Sequence, residues 1–89
     1  MKLTRQSHYS LQLSPRERQI LILVANGATN SNIAKALDLS ERTIETTLWQ
    51  ARHKLGAANR AQAVAIAIKR RDIDLDDITD TSGPGYTTE

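Results

Sequence analysis

The chain has 89 residues, enough for one small domain and too few for two. It contains no cysteine, which excludes a disulfide framework and any thiolate metal site, and His8 and His53 have no neighbours at ligand spacing. The net charge of +2 is unevenly divided: residues 1–71 hold all twelve Lys and Arg with four acids, whereas 72–89 hold six acids and no Lys or Arg.

A basic body suits a polyanionic partner, and an acidic end can bind either that body or something else. Residues 1–12 read as an N-terminal arm. Lys2 and Arg5 are not followed by an apolar stretch, so the start is not a secretory signal. The longest apolar run, 20–25, is far too short to span a membrane. With no cysteine to keep reduced or oxidised, a cytoplasmic setting is the default expectation.

The first helix is predicted to open at "LSPRE". Ser14 is its N-cap, Pro15 sits at the first position where a missing N–H costs nothing, and Glu17 closes a capping box. Ile20, Leu21 and Val24 share one face, and Gly27 ends the helix in a left-handed conformation. The second helix is short, capped by Thr29 or Asn30, with Ile33, Ala34 and Leu37 facing inward. The third runs from Ser40 to Leu55 with Gly56 as its stop. Its apolar positions Ile44, Leu48, Ala51 and Leu55 are spaced four, three and four, a stripe of helical period. Trp49, the only tryptophan, lies about 100° from Leu48 on the helical wheel, on the flank of Glu45, Thr46, Gln50 and His53.

A fourth helix is expected from Asn59 or Arg60 to about Arg71. Ala63, Val64, Ala67 and Ile68 make its inner face, and Ala61, Ala65 and Ile66 leave a second apolar surface that a three-helix core does not need. From residue 72 the composition turns to Asp, Thr, Ser, Gly and Pro, which argues for a mostly disordered acidic tail over 72–89. Three roles fit that tail. It can compete with DNA for the basic surface, serve only solubility, or extend the fourth helix by packing Ile73, Leu75 and Ile78 at a dimer interface. No strand alternation is visible, so the fold class is all-α.

Two short helices joined by a tight turn, the second with a capped start and an outward polar face, describe a helix-turn-helix. In that motif the first helix braces on the DNA backbone and the second enters the major groove, where each base pair shows a distinct edge. At this point the stretch 13–68 resembles the LuxR/FixJ-type (GerE-like) DNA-binding domain. The matching positions are Leu13, Ser14, Arg16, Glu17, Gly27, Asn30, Ile33, Ala34, Leu37, Ser40, Thr43, Ile44, Lys54, Leu55, Gly56, Arg60, Ala63 and Val64. So many matches over several elements make a strong signal.

The resemblance implies a four-helix domain over 13–71 whose fourth helix dimerises, giving an interface at Ala61, Ala65, Ile66 and Lys69. It also implies that Glu45, Thr46 and Trp49 face the groove, with Thr43 and Lys54 near phosphates. Where many members carry Lys, this chain has Glu45, a residue also found in the FixJ-like branch, and this removes a phosphate contact. Thr47 stands where His is frequent. Larger members carry a receiver or ligand-binding domain ahead of this unit, and these 89 residues hold neither.

The candidate DNA-binding set is therefore Asn30, Ser31, Arg42, Thr43, Glu45, Thr46, Trp49, Gln50, Arg52, His53 and Lys54. Each has a plainer reading. Arg42, Arg52, His53 and Lys54 are either phosphate clamps or ordinary solvated surface, and Asn30 and Ser31 either donate to phosphate from a helix N-terminus or only cap it. Trp49 has three readings: a thymine methyl or sugar contact, burial against a protein partner, or packing under the N-terminal arm.

The expected function is a transcription regulator that binds double-stranded DNA as a homodimer. The alternative is a small interaction module that forms mixed dimers with larger LuxR-type proteins or contacts RNA polymerase. A sigma-factor region shares the helix-turn-helix but fits the Lys-Leu-Gly…Arg pattern less well. No nucleophile–base pair, carboxylate pair or phosphate-cradling glycine loop stands at usable spacing, so neither an enzyme nor a cofactor is expected.

Overall fold

The computed structural model describes residues 12–79. They form four helices, α1 (Pro15–Ala25), α2 (Asn30–Leu37), α3 (Glu41–Leu55) and α4 (Arg60–Lys69), followed by a short 3-10 turn at Leu75–Asp77. No strand occurs among the described residues, and the fold is all-α as the patterning predicts. Apart from Gln12, the N-terminal arm lies outside them.

Each α-helix begins at a side chain that accepts from one of its free N–H groups. At α1 the Glu17 N–H donates to Ser14 Oγ at 3.1 Å and the Ser14 N–H donates back to Glu17 Oε1 at 2.8 Å, the reciprocal box its sequence predicts. Thr29, rather than Asn30, caps α2 and receives the Asn32 N–H at 3.1 Å. Ser40 caps α3 and Asn59 caps α4. The stops need left-handed backbone. Gly27 (φ 91°) follows α1 and Gly56 (φ 69°) ends α3, a region that glycine enters without a Cβ penalty. At the end of α2 the same turn is made by Asp38 (φ 57°), so only Asp38, Leu39 and Ser40 separate α2 from α3.

The stripe Ile44, Leu48, Ala51 and Leu55 is buried throughout. It meets Ile20 and Leu21 of α1, Ile33 and Ala34 of α2, and Ala63 and Ala67 of α4 in one core, and α3 packs on all three other helices. With its inner face so occupied, α3 has only one face left for solvent.

The chain after α4 departs from the expectation drawn from its composition. Arg71 takes a left-handed conformation (φ 68°), and the N–H groups of Asp72 and Ile73 both donate to the Ala67 carbonyl, at 2.8 and 3.2 Å. This turn drives Ile73 into the core, where it is 1% exposed. The strap then crosses to α1. Arg18 donates to the Asp72 carbonyl at 2.7 Å and pairs with Asp77 at 3.2 Å. Asn26 donates to the Asp77 carbonyl at 3.2 Å and accepts from the Thr79 N–H. One buried isoleucine and these contacts fold residues 72–79 onto the domain; the rest of the acidic tail lies outside the described residues.

Candidate nucleic-acid interface

Because the α3 stripe is buried, the side chains between its members must point away from the core. Glu45, Thr46, Trp49, Gln50 and His53 are all exposed, and Trp49, at 53%, is one of two large apolar side chains so exposed among the described residues. The Trp49 ring stacks on His53 one turn later, with ring centroids 3.9 Å apart and planes tilted by 39°. An indole fixed in this way presents an edge at little further entropic cost. The reading that tucks Trp49 under the N-terminal arm concerns residues outside those described.

The start of α3 and the start of α2 supply the flanks. Arg42 and Thr43 are exposed on the first turn of α3, and the Thr43 hydroxyl lies 2.9 Å from Ser40 Oγ, which fixes its rotamer. Asn30 and Ser31 are half-buried on the first turn of α2. Asn30 Oδ1 accepts from Arg60 Nη2 at 2.8 Å, so the carboxamide is oriented by the first residue of α4.

Two basic candidates are engaged inside the domain. Lys54 Nζ donates to Glu17 Oε1 at 2.9 Å, and the Glu17 side chain is only 5% exposed. The ammonium that the family resemblance puts near a phosphate thus points at α1. Arg52 donates to the Ala58 carbonyl at 3.2 Å and ties α3 to the loop before α4.

Arg52, Glu45, Leu48 and Trp49 form one wall of an open cleft of about 470 Å³, and Ala58, Asn59 and Arg60 form the other. Arg60 enters the sequence reading only as a family position; the structure places it on this cleft and against Asn30. The local hint is weak: a cation at the first position of a helix, where the dipole disfavours it, calls for a contact elsewhere.

On α4, Ala61 and Ala65 of the second apolar surface are exposed, and so is Lys69. Ile66 differs, being half-buried against the domain's own core together with Val64 and Ile68.

A family model described as bacterial regulatory proteins, luxR family, matches residues 11–67. The chain is similar to the transcriptional activator protein BjaR1 of Bradyrhizobium diazoefficiens, 41% identical over 64 residues, which are 72% of this chain and 26% of that protein. It is also similar to the uncharacterized transcriptional regulatory protein YhcZ of Bacillus subtilis, 43% identical over 58 residues, 65% of this chain and 27% of that one. A third relative is the quorum sensing-dependent transcriptional regulator VjbR of Brucella melitensis, 39% identical over 66 residues, 74% of this chain and 26% of that one. The chain spans about a quarter of the length of these relatives. No solved structure matches it. The matched residues run from before α1 into the last turn of α4, and the protein belongs to the LuxR family of bacterial regulatory proteins, a family of helix-turn-helix transcription regulators and not of enzymes.

Proposed function

We propose that the protein is a cytoplasmic transcription regulator that binds double-stranded DNA as a homodimer, with α3 in the major groove and the outer face of α4 between the two copies. The observation that carries this reading is the division of α3 into a fully buried stripe and an exposed face of Glu45, Thr46, Trp49, Gln50 and His53. Such a helix is held rigidly by its domain and offers both hydrogen-bonding and apolar reach to base edges. Arg42, Thr43, Asn30 and Ser31 stand at two helix starts, where phosphate oxygens are favoured by free N–H groups and by the dipole. Phosphate contacts supply most of the affinity, and base edges supply the choice of sequence.

The test is a salt titration of binding to random genomic fragments, with sequencing of the bound fraction. The regulator reading expects enrichment of specific sites and affinity that falls steeply with salt. Weak and uniform binding overturns it in favour of the interaction module, which the exposed Trp49 and the carboxylate of Glu45 support.

A further inference from the structure

The outer face of α4 is a small one. Ten residues make a helix about 15 Å long. Its exposed positions Ala61 and Ala65 contribute only methyl groups, and Ile66 faces the domain's own core. A stable dimer buries about 600–1,000 Å² on each partner, more than such a stub presents.

The strap enlarges this surface. Leu75 is 67% exposed on its 3-10 turn, although the strap that carries it is fixed on both sides by Ile73 in the core and by the Arg18–Asp77 pair. Next to it is a cleft of about 360 Å³ lined by Ile68 of α4 and by Arg71, Ile73, Asp74 and Leu75. The charges around this apolar centre are of both signs. Lys69 and Arg71 are exposed at the end of α4, and Asp74 and Asp76 are exposed on the strap. A surface with a protruding leucine, an adjacent cleft, and bases beside acids complements a two-fold copy of itself, because each feature meets its opposite across the axis.

We propose that the strap, residues 72–77, forms a continuous docking surface with the outer face of α4, that its occupant is a second copy of this chain, and that Leu75 is its anchor. Leu75 of each copy enters the cleft beside Ile68 of the other, and Arg71 faces Asp76 across the axis. The proposal rests on the homodimer reading and adds to it residues beyond the stretch that the family model matches.

The test uses the full chain in analytical ultracentrifugation, alone and on DNA. Leu75→Glu is expected to weaken self-association about tenfold or more, since it removes a leucine from each side and puts a charge in its place. Amide exchange at Ile73 should stay slow and so show that the strap remains folded. Arg71→Glu and Asp76→Arg should each weaken the homodimer by setting like charges face to face. A mixture of the two variants should form mixed dimers more tightly than either forms homodimers, which only pairing between copies produces.

If Leu75→Glu leaves self-association unchanged while Ala65→Glu abolishes it, the strap lies outside the interface and the proposal fails with the homodimer reading intact. If the unaltered chain is monomeric at high concentration and on DNA, the homodimer reading itself fails. Removing residues 1–11 without loss of the dimer, but with faster exchange at Leu75, names the arm as occupant and also overturns the proposal.

Discussion

Glu17 carries two interactions on a single oxygen, the Ser14 N–H at 2.8 Å and the Lys54 ammonium at 2.9 Å. The first is local and legible in the sequence, since a Ser followed three positions later by Glu is a capping box. The second joins residues 37 positions apart, and no local pattern announces it. Lys54→Ala leaves a nearly buried carboxylate with its Ser14 N–H but without its counter-ion, and the expected loss is about 1–3 kcal/mol. For a domain of this size that lowers the melting temperature by roughly 4–8 °C per kcal/mol, readable in a thermal unfolding scan. The salt dependence of DNA binding should be unchanged in the folded variant, because this ammonium faces α1; a flatter salt slope would return Lys54 to the phosphate surface. Arg60 makes a second long-range contact of this kind. Its hydrogen bond to Asn30 spans 30 positions, and sequence alone could not rank it above the other basic residues.

Of the helices, α3 was the most legible because its apolar spacing, its Ser40 cap and its Gly56 stop all agree, and the structure uses all three. The same agreement makes its outer face the place to test recognition. Thr46→Ala and Trp49→Ala are each expected to alter preference at a contacted base pair by about 1–3 kcal/mol, measured by competition between site variants. Neither should lower stability much, as both side chains are exposed. The strap was the least legible element. Its run of Asp residues marks disorder, and Ile73, Leu75 and Ile78, spaced two and three apart, fit neither a strand nor a helix period. What decides its fate is Arg71 in a left-handed turn, a conformation that sequence rarely signals outside glycine and asparagine. Ile73→Ala should cost about 2–5 kcal/mol, as for other large-to-small changes in a packed core, and denaturant unfolding measures it. A loss near zero would mean that the strap is only loosely attached in solution.

At the scale of the whole molecule, the charge split between body and tail remains, but its consequences change. Four of the six acids in residues 72–89 lie on the strap, and two of those four pair with the body's own bases, Asp72 with Arg70 and Asp77 with Arg18. Only Asp80 and Glu89 lie beyond it. Deleting 80–89 is therefore expected to change non-specific DNA affinity by less than about threefold in 0.1 M salt, where exposed charges are screened beyond ~10 Å. A larger gain, read in a fluorescence-anisotropy titration, would restore competition between tail and DNA. Deletion from residue 72 is the wrong experiment for that purpose. It removes Ile73 from the core and confuses charge with stability.

The bond between Thr79 and Asn26 fixes where the chain leaves the domain: at the end of α1, four residues before α2 begins, and not at the far end of α4. Ten residues follow, and ten residues reach at most ~35 Å. Any fluorophore, affinity tag or second domain joined after Glu89 is thus tethered to the entrance of the helix-turn-helix. A dye placed there and the single tryptophan on α3 become a ready pair for energy-transfer measurements, with one partner leashed to the scaffold and the other set on the exposed face of α3.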